Sequence, residues 1–312
     1  MIQRRLLLSL PLLSWATLIT AILTLSLVGM APAQPARDAQ SPAPTTGTFG
    51  RTLVSGPAFP VFDATLYLKK PDLEQLYGMP RLRTHKRLWM PEDNHDEPIR
   101  ARLVAALAHI PRGELIFMDI EHWPVKGQPE VVNDTLRKYN LVTHWVREIR
   151  PDLTFGYYGV PPIRDYWRAV RPERADQYQQ WLDENDALAP MVENLDVIYP
   201  SLYTFYNTPD QWVEFAKANL SEARQYGLPV YAFLWPQYHE GNKELAWQFI
   251  DPDFWRRQLE TCLEHADGIV IWGGWMDADK KRLNWDPTAP WWRETIAVMA
   301  ENGDRLLNPK AD

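Results

Sequence analysis

The segment Leu115-Ile116-Phe117-Met118-Asp119-Ile120-Glu121-His122-Trp123-Pro124 runs from strand-like apolar residues straight into two carboxylates. Burying an unpaired carboxylate is expensive, so acids closing an otherwise apolar strand point to chemistry at its mouth. Residues i and i+2 of a strand share a face, which sets Asp119 and Glu121 side by side and turns Met118 and Ile120 the other way. Glycosidases of the two-carboxylate kind need their acids on either side of the scissile bond, about 5 Å apart for retention and wider for inversion. An i, i+2 pair suits neither arrangement. It suits substrate-assisted hydrolysis of an N-acetylhexosamine, where the substrate's own 2-acetamido oxygen attacks the anomeric carbon. Glu121 would then protonate the leaving oxygen. Asp119 would accept the acetamido N–H and, as a neighbouring negative charge, favour the protonated form of Glu121. The competing structural explanation is a strand end whose acids cap a helix or pair with arginines.

Such a strand needs a scaffold, and the pattern around it supplies one. Pro60–Leu68 reads as a first strand containing Asp63, and Arg87–Met90 as a weaker second. Ile99–Ile110 is helical and leads into the acidic strand. Val132, Leu136, Tyr139, Val142, Val146 and Ile149 recur at steps of three or four and predict an amphipathic helix ending at Pro151. Thr154–Gly159 is a fourth strand, followed by an aromatic loop from Pro161 to Trp167. After a helical region bearing Tyr178, Trp181, Leu182 and Leu188, Leu195–Tyr203 is a fifth strand. Thr208 is expected to cap the next helix, with Pro209 at its first position and Gln211 completing a capping box. Val230–Trp235 and Gly268–Trp275 are the sixth and seventh strands, with a helix opened by Asp251 between them and a last helix from Pro290.

This alternation predicts an α/β fold with a parallel sheet closed as a TIM-type (β/α) barrel, seven-stranded, in a single domain. Active sites of such barrels lie at the strand C-termini. The candidate list is therefore Asp119 and Glu121 as catalytic groups, with Asp63, Tyr158 (against its neighbour Tyr157), Tyr199, Tyr203, Trp235 and Trp272 as substrate contacts. Asp63 is the candidate for a separate nucleophile if the reaction is not substrate-assisted. Asp277 and Asp279 follow the seventh strand and read by default as a solvated loop.

Composition narrows the class. The 312 residues are 46% hydrophobic and 23% charged, as in globular proteins, and include 15 Trp and 13 Tyr. Flat rings in such excess often line sugar-binding clefts, stacking on pyranose C–H faces, although most pack in the core. Arg4-Arg5, the apolar stretch to Met30 and Ala31-Pro32-Ala33 form an export signal over residues 1–33, or an uncleaved membrane anchor. The protein is thus expected to be periplasmic or extracellular. Residues 34–56, rich in Pro, Ala, Ser and Thr, read as a flexible linker to a domain over 57–312. The net charge is −7, and losing the two arginine charges of residues 1–33 leaves −9, which argues against nucleic acid as a partner. The lone Cys262 has apolar neighbours and reads as a buried, inert thiol. The seven histidines show no metal-binding spacing, so neither a metal nor another cofactor is expected, and the expected partner of a monomer is a polysaccharide or oligosaccharide.

At this point the motifs resemble a family. Asp119-Ile120-Glu121-His122-Trp123-Pro124 is similar to the D-W-E-x-W-x-P signature of the hyaluronidases, glycoside hydrolase family 56. Gly156-Tyr157-Tyr158 with Pro161 resembles that family's G-Y-Y-x-x-P. Ala189-Pro190 through Tyr199-Pro200-Ser201-Leu202-Tyr203 resembles its A-L-Y-P-S-x-Y strand with an insertion, and Gly268–Gly273 its G-V-V-I-W-G. The resemblance implies a seven-stranded barrel, Glu121 as acid/base, Asp119 orienting the acetamide, Tyr158 and Tyr203 touching the acetamido group or sugar hydroxyls, and Trp272 walling its subsite. The chain departs from the pattern at Ile120, which replaces a tryptophan, at Pro124, which follows Trp123 directly, and in lacking the family's disulfide cysteines. The acidic balance is a poor match to hyaluronan, which carries a carboxylate on every disaccharide and would favour a groove lined by Arg and Lys. A chitinase-like enzyme, a two-carboxylate hydrolase on neutral polysaccharide and a non-catalytic glycan-binding barrel are the alternatives.

Overall fold

A computed structural model describes residues 59–84 and 97–303. The expected signal, the expected linker and the expected strand at Arg87–Met90 lie outside them. The strands are β1 (Val61–Thr65), β2 (Arg83–Thr84), β3 (Leu115–Met118), β4 (Thr154–Tyr157), β5 (Tyr231–Leu234) and β6 (Gly268–Gly273). The helices are α1 (Leu73–Tyr77), α2 (Arg100–Leu107), α3 (Pro129–Ile149), α4 (Tyr166–Ala169), α5 (Ala175–Asp186), α6 (Pro209–Arg224), α7 (Pro252–His265) and α8 (Pro290–Glu301).

These six strands pair in parallel, in the orders β1-β6-β5 and β2-β3-β4. Single parallel bridges join the two sheets on both sides. Asp63 bridges Arg81, while Tyr158 with Tyr199, Ile198 with Val230 and Ser201 with Phe233 carry pairing from β4 to β5 through residues 196–203. That segment was expected as a regular strand. Pro200 at its centre has no N–H to give a neighbour, so the ladder there breaks into isolated bridges.

The period-two alternation of strand residues divides the core into two clusters. Phe62, Ala64, Phe117, Tyr158, Tyr199, Phe233, Trp235 and Val270 pack together inside the barrel. Val61, Ile116, Met118, Phe155, Tyr157, Ala232, Leu234, Ile269 and Ile271 face the helices. Gly156 shows how tight the interior is, because a Cβ there would lie 2.0 Å from the Val197 carbonyl oxygen. Gly156→Ala must push two staves apart, and we expect a loss of about 1–3 kcal/mol, read as a lower urea midpoint with unchanged slope.

Helix signals held in one case and failed in another. Asp251 caps α7 by accepting the N–H groups of Asp253 and Phe254. Thr208 does not cap α6, since its side chain makes no cap hydrogen bond. Its hydroxyl pairs instead with Tyr166 Oη at 2.7 Å, a tertiary partner that local spacing could not reveal. Cys262 is fully buried in α7, and burial pushes its thiol far above the usual range.

Candidate active site

The strand that carries the acids is held from the helix that follows it. Tyr139 of α3 donates its hydroxyl to the Ile120 carbonyl at 2.9 Å, between the two carboxylates, and Thr135 donates to the Pro124 carbonyl at 2.7 Å. Trp123 is buried edge-on against Tyr139, with ring centroids 5.0 Å apart. The amphipathic helix thus packs the core and also pins the turn after β3. Because Phe117 points into the barrel, Asp119 and Glu121 continue on the inward face and both reach a cavity of about 570 Å³ at the strand C-termini.

Tyr158, Tyr203, Trp235 and Trp272 line the same cavity. The register at β4 is settled by parity. Tyr157 turns outward, donating to the Tyr139 carbonyl at 3.0 Å and pairing with the Thr143 hydroxyl, while Tyr158 turns inward to Ser201 Oγ at 2.9 Å. Tyr203 stacks on Trp272 with centroids 5.7 Å apart, and Trp235 stands edge-on to Trp272 at 4.9 Å. Burial raises the pKa of Tyr158, and burial together with Tyr158 and then the carboxylates Asp119 and Glu121 raises that of Tyr203. Both phenols are therefore protonated donors at any physiological pH.

Four sequence candidates fall outside this group. Asp63 shares the outward face of β1 with Val61 and is buried, accepting from Thr65 N–H at 2.9 Å and Thr65 Oγ1 at 2.6 Å and pairing with the Lys70 ammonium. Its assignment to the substrate is corrected by parity, since Phe62, Ala64 and Leu66 are the inward positions of that stave. Tyr199 does point inward, but it lies in the packed interior. Its ring is wedged between Phe117 and Phe233, its hydroxyl donates to the Ile116 carbonyl, and it does not line the cavity. Asp277 and Asp279 belong to a turn closed on Lys281, as the default expectation had them.

The sequence had not singled out Arg164, His239, Glu240, Trp247 or Trp275, all of which line the cavity. Each sits on a loop after a strand, where composition carries no period. The one signal available was the rule that loops at the strand C-termini build the site. Arg164 donates to Ser201 Oγ at 3.2 Å and lies over the Phe205 ring. Phe205 in turn stacks on His239 at 4.2 Å. Burial, with Arg164 adding to it, lowers the pKa of His239 to about 4. Among the described residues no three His, Cys, Asp or Glu side chains converge to hold a metal ion.

No family model matches the chain. A hyaluronidase of Polybia paulista is 26% identical over 140 residues, covering 43% of this chain and 47% of that protein. A hyaluronidase of Apis mellifera is 28% identical over 153 residues, covering 43% of this chain and 36% of that protein. The matches thus span less than half the length of these curated relatives. Among solved structures, bee venom hyaluronidase superposes with a TM-score of 0.52 at 14% identity, over 78% of this chain and 97% of that one. The same enzyme in complex with a hyaluronic acid tetramer gives 0.51. The chain is a remote relative of the hyaluronidases and shares their (β/α)-barrel fold.

Proposed function

We propose that this chain is an exported glycosidase of the hyaluronidase type, cleaving glycans that contain N-acetylhexosamine with retention at the anomeric carbon. One observation carries the reading. Asp119 and Glu121 enter a single cavity from one side, together with the hydroxyls and indole expected around an acetamido group. The acetamido carbonyl oxygen attacks the anomeric carbon as Glu121 passes its proton to the departing glycosidic oxygen. Asp119 accepts the acetamido N–H and offsets the positive charge that develops on the cyclic oxazolinium. Tyr158 and Tyr203, held as neutral phenols, are placed to donate to the substrate, and Trp272 walls the sugar. Water then opens the ring from the face the leaving group vacated, while Glu121, now a base, takes its proton. Retention follows from two displacements at one carbon.

The test is turnover of hyaluronan, chondroitin, chitin oligomers and peptidoglycan fragments, with the first-formed anomer read by proton NMR. A retained product is expected from at least one substrate. An inverted product sinks the acetamido mechanism, and binding without new reducing ends turns the reading to a glycan-binding barrel. A neutral polymer in place of hyaluronan is favoured by one feature. The described cavity lining holds Asp119, Glu121 and Glu240 against the single guanidinium of Arg164.

A further inference from the structure

The chain from Pro236 to Ile250 folds back on itself at the mouth of the barrel. Tyr238 N–H donates to the Gln248 carbonyl at 2.9 Å, Trp247 N–H to the Tyr238 carbonyl at 3.0 Å, and Ile250 N–H to the Pro236 carbonyl at 3.0 Å. Trp247 sits at this join with φ at 68°, a left-handed conformation that is an outlier for so bulky a residue. Strain of this kind persists only where the surroundings over-determine it, and it gathers at functional sites.

Gln237 does the over-determining. Its buried amide donates to the Trp247 carbonyl at 2.7 Å and the Met276 carbonyl at 3.3 Å, and accepts from Trp235 Nε1 at 3.1 Å. One side chain ties the end of β5 to the returning loop and to the loop that carries Trp275. Trp247 is only partly buried, stands edge-on to Trp235 at 5.4 Å and borders the cavity. Its indole thus packs on the interior aromatic cluster and also faces the cavity.

His239 belongs to the same loop and the same cavity. Its Nδ1 accepts Gly241 N–H at 2.9 Å, so the neutral ring carries its proton on Nε2. The stack on Phe205 fixes the plane of that ring. The imidazole is therefore an uncharged donor of set tautomer. Both rings abut Trp235, with centroids 5.4 Å away for Trp247 and 5.9 Å for His239, and an apolar face near one neutral donor is what an uncharged pyranose requires, the C–H face resting on the ring and a hydroxyl accepting the N–H.

We propose that Trp247 and His239 form a second sugar subsite beside the acid pair, taking an uncharged pyranose unit of a longer glycan, with Gln237 as the residue that positions Trp247. The assignment rests on the glycosidase reading above. Glu240 and the Arg164 guanidinium, which lies over the Phe205 ring that stacks on His239, bring opposite charges to the cavity lining, so the subsite offers an acidic sugar no net positive charge.

The test uses the full chain carrying Glu121→Gln, so that binding is measured without turnover. Calorimetric titration compares the N-acetylglucosamine disaccharide with the hexasaccharide. Adding Trp247→Ala is expected to lower hexasaccharide affinity about five- to tenfold more than disaccharide affinity. Adding His239→Phe produces the same length-dependent loss, and His239→Gln, which keeps an N–H donor, recovers it. In the otherwise wild-type chain, Gln237→Leu raises KM for the hexasaccharide more than it lowers kcat, a split that general destabilisation does not produce. Trp247→Gly suits the left-handed backbone and replaces the alanine variant if near-ultraviolet circular dichroism shows that one to be unfolded. Equal losses at both lengths, or no loss, overturn the subsite. Failure to bind the hexasaccharide also overturns it. If hyaluronan turnover in the wild type is then still abolished by Glu121→Gln, the glycosidase reading stands without the subsite.

Discussion

Glu121→Gln is expected to leave a folded protein whose turnover falls by about 10²–10⁴-fold, the usual contribution of a positioned general acid. Glutamine keeps the size and polarity of the side chain but cannot protonate the leaving oxygen. KM should move little, because the cavity walls of Tyr203, Trp235 and Trp272 are untouched. Substrates with leaving groups of low pKa need little protonation, so the defect in their first step should shrink. With these substrates the second step, in which Glu121 takes a proton from water, becomes limiting. Asp119→Asn should differ in kind, hurting acetamido substrates selectively. Initial rates on nitrophenyl and natural glycosides, with thermal midpoints confirming the fold, separate these outcomes. A Glu121→Gln enzyme retaining a tenth or more of wild-type activity on a natural glycan would remove the residue from the mechanism.

Lys70→Met is expected to cost the fold about 3–5 kcal/mol, the largest single-residue effect on stability foreseen here. Asp63 and Lys70 have side-chain exposures of 4% and 12%. The ammonium also donates to the Thr65 carbonyl at 2.7 Å and to Thr65 Oγ1 at 2.9 Å. Burial lowers the Lys70 pKa, and Asp63 opposes that shift, so the ammonium depends on Asp63 to keep its charge. Removing the lysine leaves a carboxylate buried on the helix side of β1 without its cation. The double variant Asp63→Asn/Lys70→Met has no stranded charge and should recover part of the loss. Urea midpoints of the three variants and the wild type complete a double-mutant cycle. The cycle also decides the role of Asp63. A nucleophile would show lost turnover in Asp63→Asn at nearly full stability, the reverse of what its placement outside the cavity leads us to expect.

The scaffold was legible because barrel strands and their helices are written in local periodicities. The three- and four-residue spacing along Val132–Ile149 marked α3, and the apolar runs marked β1, β3, β4, β5 and β6 within a few residues. The breaks had local causes that could be read only in part. Pro200 disrupts the pairing of residues 196–203, and Thr208 gave up its cap role for Tyr166.

By itself the sequence determined the acid pair. Two carboxylates at i and i+2 closing an apolar strand must share a face, whatever the rest of the chain does, and Leu115–Glu121 places them together on local geometry alone. Only the tertiary structure decided which face is inward. Neighbouring residues of a strand differ in direction and not in composition, so Asp63 and Tyr199 looked equal to Tyr158 and Tyr203 until the ring of staves assigned each a side and a depth. The loops carrying Arg164, His239 and Trp247 were decided there too. Their places depend on partners far along the chain, such as Ser201 for Arg164 and Phe205 for His239, and no local spacing encodes those meetings.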